Sequence, residues 1–441
     1  MKPSIGVLLV VALSGAQTPA LRDQRIQDLE VLRSSYVEKT LSLTPERRIR
    51  SLQLISELEK RAGALSAAEF QAGIYEVAAM TNNAHDAVSV DNPSARLALR
   101  SPFRLIWFPD ALVIARAQGP AADLVGGRVT AIEGRTPEQL FAGLRKLCGG
   151  TDAYCRWMLP FLIESGGILH ALGLAARPDS LRLAVDLPDG RRIERSITLT
   201  SAAQMPQPIG GPGRYWLPDS IDAESGKGWR TALAIKSAPL YLRDGEMFFR
   251  TVFLKPQNAL YIQYRANYDI GGSDIRAFTA SAAAEIKARR PRDLIFDLRF
   301  NGGGDITTTA GAMREMPKMV SGRTFILVGR YTFSAGIVSA AILKKAAGER
   351  AVMVGEEVGD RLRFWSEGER VCLPNSRICV QRTDGMWDLA NGCAAEPHCY
   401  GDQFVAKIGA LTPQIRAPLT AEAYLSGRDP GMEAVVSSIQ R

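Results

Sequence analysis

A serine at a strand-to-helix turn and a run of three glycines upstream of it are the residues of this chain best suited to chemistry. The serine is Ser334, in Thr332-Phe333-Ser334-Ala335-Gly336, and the glycines close Asp297-Leu298-Arg299-Phe300-Asn301-Gly302-Gly303-Gly304. Each segment follows an apolar run that reads as a buried strand and leads into a stretch that reads as a helix. A hydroxyl at the first turn of a helix feels the positive end of the helix dipole, which favours a developing alkoxide. Bare glycine backbone offers N–H groups to a bound oxygen. A nucleophile beside an oxyanion hole is what acyl transfer needs most. Each part also has a plain structural reading, the serine as an N-cap and the glycines as a turn with positive φ. Phosphate and dinucleotide binding are disfavoured, because the run lacks the lysine of one motif and the spacing of the other.

Three histidines are present. His85 lies in the polar segment Asn82-Asn83-Ala84-His85-Asp86, where an imidazole is free to act. His170, among Ile168, Leu169 and Leu172, reads as a core or groove residue. His398 falls between Cys393 and Cys399. An α/β-hydrolase would take Ser334, Asp388 and His398 in that order, but Thr332 stands where the first glycine of G-x-S-x-G belongs. Lys344 and Lys345 lie about 15 Å along the helix that Ser334 starts and read as helix-end charges.

The six cysteines form three close pairs, Cys148 with Cys155, Cys372 with Cys379 and Cys393 with Cys399. Even number and short spacing favour three local disulfides in an oxidising compartment. The alternative, a zinc site at Cys393, His398 and Cys399, has no C-x-x-C partner. The N-terminus agrees with export: a positive start at Lys2, an apolar run from Ile5 to Leu13, then small residues at Ser14 and Ala16, with Ala20 as a second cut. Residues 1–20 therefore read as a signal peptide and the mature chain as secreted or periplasmic, with no further span of ~18 apolar residues. The net charge of +8 is spread along the chain with no aromatic–basic module, which argues against a nucleic-acid partner.

At 441 residues two or three domains are expected. Residues 21–95 read as helical: Thr44-Pro45 starts one helix, with Ile49, Leu52 and Ile55 on a face, and Ser66-Ala67-Ala68-Glu69 is a capping box for the next. Residues 96–200 read as a β-rich module. Its strands run from Arg104 to Phe108, Leu112 to Ala117 and Gly127 to Gly134. A hairpin follows around Pro188-Asp189-Gly190, and an insert from Cys148 to Arg177 interrupts the module. Residues 201–230, rich in Pro, Gly and Ser, read as a linker. From 231 to 441 strands alternate with helices, the pattern of a layered α/β domain.

The ordered motifs from Asp297 to Gly304, Phe333 to Gly336 and Val354-Gly355-Glu356 resemble the tail-specific (C-terminal-processing) serine proteases. The similarity is to their exported bacterial branch and to tricorn-type cores. The resemblance spans most of the chain, including the Asn82 to Asp86 loop and the closing Gly427 to Glu433 segment. It implies an α/β (α+β multidomain) protein, with a protease core preceded by helices and a PDZ-like module in which Val129 to Gly134 is the PDZ-like strand. Phe108 to Leu112 is a poor match to a carboxylate-binding loop.

The resemblance implies a serine peptidase acting through an acyl-enzyme at Ser334, with oxyanion donors from Gly302, Gly303 and Ala335. It implies a peptide or protein substrate and no metal or organic cofactor. In the Ser/Lys branch the base is a lysine shortly after the Gly-Glu pair, and here that place falls on Asp360 or Arg361. The tricorn-like branch draws a histidine from the segment before the PDZ position, which His85 matches, so Ser334 and His85 are the expected pair. For the orienting acid Glu356 is the first choice, with Glu357, Glu367 and Asp86 also open. The alternative is a catalytically silent protein that binds a peptide or apolar ligand on the same fold.

Overall fold

Side-chain caps start the N-terminal helices where the sequence signals them. Thr44 accepts from the Arg47 N–H ahead of helix Pro45–Arg61, and Ser66 and Glu69 form both halves of the capping box ahead of helix Ala67–Ala79. The structure is a computed structural model, and it describes residues 19–90, 99–201, 216–218, 228–405 and 407–440. The proposed signal peptide thus lies outside the described residues up to residue 18, as does most of the 201–230 linker.

One expectation about these helices needs correction. Ile55 is buried, but Ile49 is 58% exposed, because six positions place it about 120° around the helix. The buried face is Ser51, Ile55 and Leu58. It packs with Leu29, Tyr36, Phe70 and Ile74 against Val371, Ile378 and Val380 of a hairpin far along the chain, Glu369–Cys372 with Ile378–Arg382. Strand Val88–Val90 joins that hairpin antiparallel. The chain between helix Ala67–Ala79 and this strand is therefore pinned at both ends beside the C-terminal core.

The β-rich module is an antiparallel sheet, Phe103–Trp107, Leu112–Ala117, Arg128–Ile132, Ser180–Asp186 and Arg192–Thr198 in that order, with Arg230–Thr231 added beside Leu112–Ala117. The insert is helical, Asp152–Ile163 and Gly166–Ala171. Leu159, Ile163 and Ile168 fill the module's core together with Leu105, Ile114 and Leu183.

The α/β core carries the motifs. Strands Ala259–Tyr264, Asp293–Asp297, Thr324–Val328, Ala351–Gly355 and Ile415–Arg416 run parallel, and Phe249–Leu254 closes one edge antiparallel. Helices Ile275–Arg289, Ala310–Glu315 and Ala335–Ala347 cover one face, and Pro430–Ile439 the other through Val435 and Ile439. Both faces are covered, so the strands read as unbroken apolar runs. Arg299 donates to both Asp429 oxygens (2.6 and 3.0 Å) and to Asp297, joining the glycine motif to the closing helix. Among the described residues no helix is long and apolar enough to cross a membrane.

Candidate active site

Strands Asp293–Asp297 and Thr324–Val328 are parallel neighbours, so the glycine run and the turn to Ser334 leave the sheet on the same side. Hydrogen bonds lock the two segments together. The Phe333 N–H donates to the Asn301 carbonyl at 2.9 Å. The Thr332 hydroxyl donates to the Leu298 carbonyl at 2.8 Å and accepts from the Gly329 N–H at 3.0 Å. That hydroxyl explains why a threonine stands here instead of glycine. Two glycines are required by close approach: a Cβ on Gly336 would lie 2.4 Å from the Asn301 carbonyl oxygen, and one on Gly303 2.5 Å from the Ser334 Cβ.

Ser334 immediately precedes helix Ala335–Ala347 with φ 52° and ψ −127°, and its side chain makes no cap hydrogen bond. Non-glycine residues held in such backbone regions cost of order 1–3 kcal/mol, and they concentrate at functional sites. The plain N-cap reading of this serine does not hold. Of the expected oxyanion donors, Gly303 differs from expectation, because its N–H donates to the Asn301 Oδ1 at 3.0 Å. The Gly302 N–H has no acceptor among the described residues. Ala335, as the first residue of its helix, has no intrahelical acceptor either.

Asn267 went unnoticed in the sequence. Its N–H donates to the Gly303 carbonyl at 2.8 Å, and its carbonyl accepts from the Asp305 N–H at 2.8 Å. Its side-chain amide reaches Thr309 (2.7 Å) and Ser339 (3.2 Å), so it ties the glycine run to the helix that Ser334 starts.

His85 is carried to the same place by a polar loop. Asn83 is paired with the backbone of Trp365 in both directions (2.9 and 3.1 Å) and donates to Asp86 at 2.7 Å. Ser42 and Thr383 also donate to Asp86, whose carboxyl burial pushes above its ordinary range. Arg361 donates to the Asn82 carbonyl at 2.8 Å. The His85 ring is then held between Phe333 (4.3 Å between centroids) and Phe364 (5.0 Å). Its Nδ1 lies 3.5 Å from Oδ2 of Asp360, a side chain 1% exposed. Neither ring nitrogen of His85 nor that Asp360 oxygen has a hydrogen-bond partner among the described residues.

Glu356 is not the acid at His85. One of its oxygens accepts twice from Arg330 (2.8 and 3.2 Å) and the other from the Leu419 N–H at 2.9 Å. Arg330 also donates to the Trp107 carbonyl at 2.8 Å, so this pair fastens the β-rich module to the core. Glu357 is exposed, Glu367 accepts from Ser366, and Asp86 is taken up as above. The carboxylate against His85 belongs to Asp360, one of the two positions where the resemblance puts a lysine.

The other candidates fall elsewhere. His170 is exposed, not in a core, with Nδ1 3.1 Å from the Ala175 carbonyl. His398 is exposed. Lys344 donates to the Ile408 and Ala410 carbonyls. The cysteines pair as Cys148–Cys155, Cys372–Cys379 and Cys393–Cys399, so the thiolates of the alternative zinc site are consumed. At the poor carboxylate loop, Asp110 accepts from the Ala421 N–H at 2.8 Å and Phe108 packs against Trp216 and Tyr424, which leaves the turn occupied by the chain itself.

This α/β core, with Ser334 on the turn beside the glycine run, is similar in fold to solved structures of CPAF. Mature CPAF in complex with lactacystin is similar throughout, at a TM-score of 0.56 and 14% identity over 96% of this chain and 98% of its own. Mature CPAF alone gives 0.54 and 14% over 96% and 97%. The photosystem II D1 C-terminal processing protease matches at 0.39 and 13% over 96% and 98%. No family profile matches the sequence, and no curated protein does.

Proposed function

We propose that this protein is a serine-type endopeptidase, exported and disulfide-bonded, that cleaves peptide bonds through an acyl-enzyme at Ser334. The observation that carries the reading is the Ser334 hydroxyl. It is free of any cap bond, held at positive φ, in contact with the glycine run and one residue from the ring on which His85 is stacked.

In this reading His85 takes the Ser334 proton as Oγ attacks the scissile carbonyl. The Gly302 and Ala335 N–H groups hold the oxyanion, and His85 then returns the proton to the leaving amine. Asp360 beside Nδ1 favours the tautomer with a proton there, which leaves Nε2 as the basic nitrogen. The lysine of the Ser/Lys branch is replaced by an acid that serves a histidine. Catalytic hydrogen bonds often tighten only when substrate is bound, which fits the unpartnered ring nitrogens.

The test is labelling of the purified protein by a fluorophosphonate probe. Labelling is expected in the wild type, abolished by Ser334→Ala and reduced by His85→Ala. Absence of Ser334-dependent labelling at several pH values would overturn the enzyme reading in favour of a silent binding protein. Labelling that survives His85→Ala would leave the nucleophile and remove the base.

A further inference from the structure

The helical insert of the β-rich module supplies no reacting group, yet its opening loop, Cys148 to Cys155, touches the chain next to His85, to Asp360 and to Ser334. Gly149 lies so close to the His85 loop that a Cβ there would be 2.7 Å from the Asn83 carbonyl oxygen. Gly150, at φ +89°, would meet the Ala84 Cβ at 2.7 Å. Next to Asp360, the Thr151 hydroxyl donates to the Gly359 carbonyl at 3.0 Å, and Arg361 reaches the carbonyls of both Asn82 (2.8 Å) and Gly150 (3.4 Å). Next to Ser334, the Tyr154 ring stacks on Phe333 at 5.1 Å, on the other side of the ring that carries His85. The loop is closed by the Cys148–Cys155 disulfide.

Resting on the peptidase reading above, we propose that this disulfide loop is the positioning element of His85 and Asp360, and that its oxidation switches the peptidase on. The residues that lean on the His85 loop are Gly149 and Gly150, and glycine has the largest backbone freedom to lose. A cross-link that closes so short a segment removes much of that freedom. Without it the wall behind Asn83 and Ala84 loosens, and a shift of about 1 Å at a catalytic group costs on the order of 10² in rate. A chain reduced before export would then be inactive and would gain activity outside by exchange with an oxidised dithiol. The Cys148 thiolate attacks one sulfur of that disulfide, and the Cys155 thiolate then attacks the Cys148 sulfur of the mixed disulfide. The reagent leaves as the reduced dithiol with the two electrons and the protons.

The chemistry of the switch is thiol–disulfide exchange with a dithiol. Cys148 is the more exposed of the two sulfur-bearing residues, 8% against 0% for Cys155. A dithiol thiolate attacks the Cys148 sulfur, and Cys155 leaves as thiolate and takes up a proton. The second thiol of the reagent closes on the mixed disulfide, is oxidised with its partner to a cyclic disulfide, and releases Cys148 as a thiol.

The experiment measures the rate of fluorophosphonate labelling at Ser334 in the full chain, with near-ultraviolet circular dichroism to follow the fold. The arms are oxidised wild type, wild type reduced by dithiothreitol, reduced and reoxidised wild type, Cys148→Ser/Cys155→Ser, and Cys372→Ser/Cys379→Ser. The last is the control, since its two cysteines face each other in a hairpin ladder that already holds the strands. Labelling is expected to fall at least about tenfold on reduction and in the Cys148/Cys155 variant, to return on reoxidation, and to persist in the control. Wild-type labelling with all six thiols titrated free, or in the Cys148/Cys155 variant, overturns the proposal while the peptidase reading stands. If that variant does not fold, Thr151→Val decides: a several-fold loss with the disulfide intact supports the positioning role, and an unchanged rate overturns it. An oxidised wild type that does not label at Ser334 overturns the peptidase reading itself.

Discussion

The imidazole of His85 lies on the ring of Phe333, 4.3 Å between centroids and 24° between planes, one residue before Ser334. The contact is part of a longer column in which Tyr154, Phe333, His85, Phe364, Trp387 and Phe404 stack in turn. A ring held on both faces keeps its plane, so the column fixes the plane in which the imidazole nitrogens lie.

Phe333→Ala should therefore damage catalysis more than folding. It removes one wall of His85 from a half-buried position, and labelling at Ser334 is expected to fall about 10- to 100-fold. Phe333→Tyr, which keeps the ring, should label within a few-fold of wild type. Equal losses in the two variants would sink the stacking argument.

Asp360 and Glu356 should separate orientation from structure. Asp360→Asn removes the charge beside Nδ1, and turnover of a peptide substrate is expected to drop by ~10² to 10⁴ with a changed pH–rate profile. Glu356→Gln weakens the pair with Arg330 that holds the β-rich module. It should lower the thermal midpoint while sparing the profile. The reverse assignment in a kinetic and melting comparison would refute both roles.

Gly303→Ala tests the close approach of the two motifs. At φ +103° the new methyl would sit 2.5 Å from the Ser334 Cβ, so either the serine or the glycine run must move. Activity should be lost by at least ~10², and stability should fall by about 1–3 kcal/mol as the strained φ and the clash are relieved. Gly302→Ala is the comparison, since its Cβ would meet nothing within 4 Å. Indistinguishable behaviour of the two variants in urea titrations and labelling would contradict the packing.

Asp86 predicts a pH effect on stability with a definite sign. Burial, opposed by hydrogen bonds from Asn83, Ser42 and Thr383, raises its carboxyl above the unfolded value. A group raised on folding holds its proton more tightly in the native state. Its stabilising contribution is complete below the ordinary carboxylate value and is lost as pH rises through the raised one. Asp86→Asn lacks this contribution, so the wild type should gain on the variant as pH falls from neutral into the carboxylate range. Urea midpoints of the two proteins across that range measure it, and a constant gap would show that Asp86 does not titrate there.

The elements were legible where local physics sets them. Thr44 and Ser66 cap helices because a side-chain oxygen satisfies the first free N–H groups, whatever the rest of the chain does. The apolar runs ending at Asp297 and Val328 are strands because only a sheet covered on both faces buries them whole. What local pattern could not show was which face of Pro45–Arg61 is inside, because its partner is a hairpin some three hundred residues away. The same holds for Asn267, whose importance lies in its hydrogen bonds to distant segments and in no motif of its own.

The sequence by itself determined the meeting of Ser334 with the glycine run. Ser334 and the glycine run are close in the chain, and their glycines record in residue type the contacts that a side chain would prevent. The identity of the carboxylate beside His85 was decided only by the tertiary structure. Glu356 and Asp360 are both acids after the same strand, and nothing in their spacing distinguishes them. Glu356 turns to Arg330, whereas Asp360 turns to a histidine delivered from the other end of the chain. A side-chain contact between distant segments depends on where the fold brings them together, and residue order alone does not encode that distance.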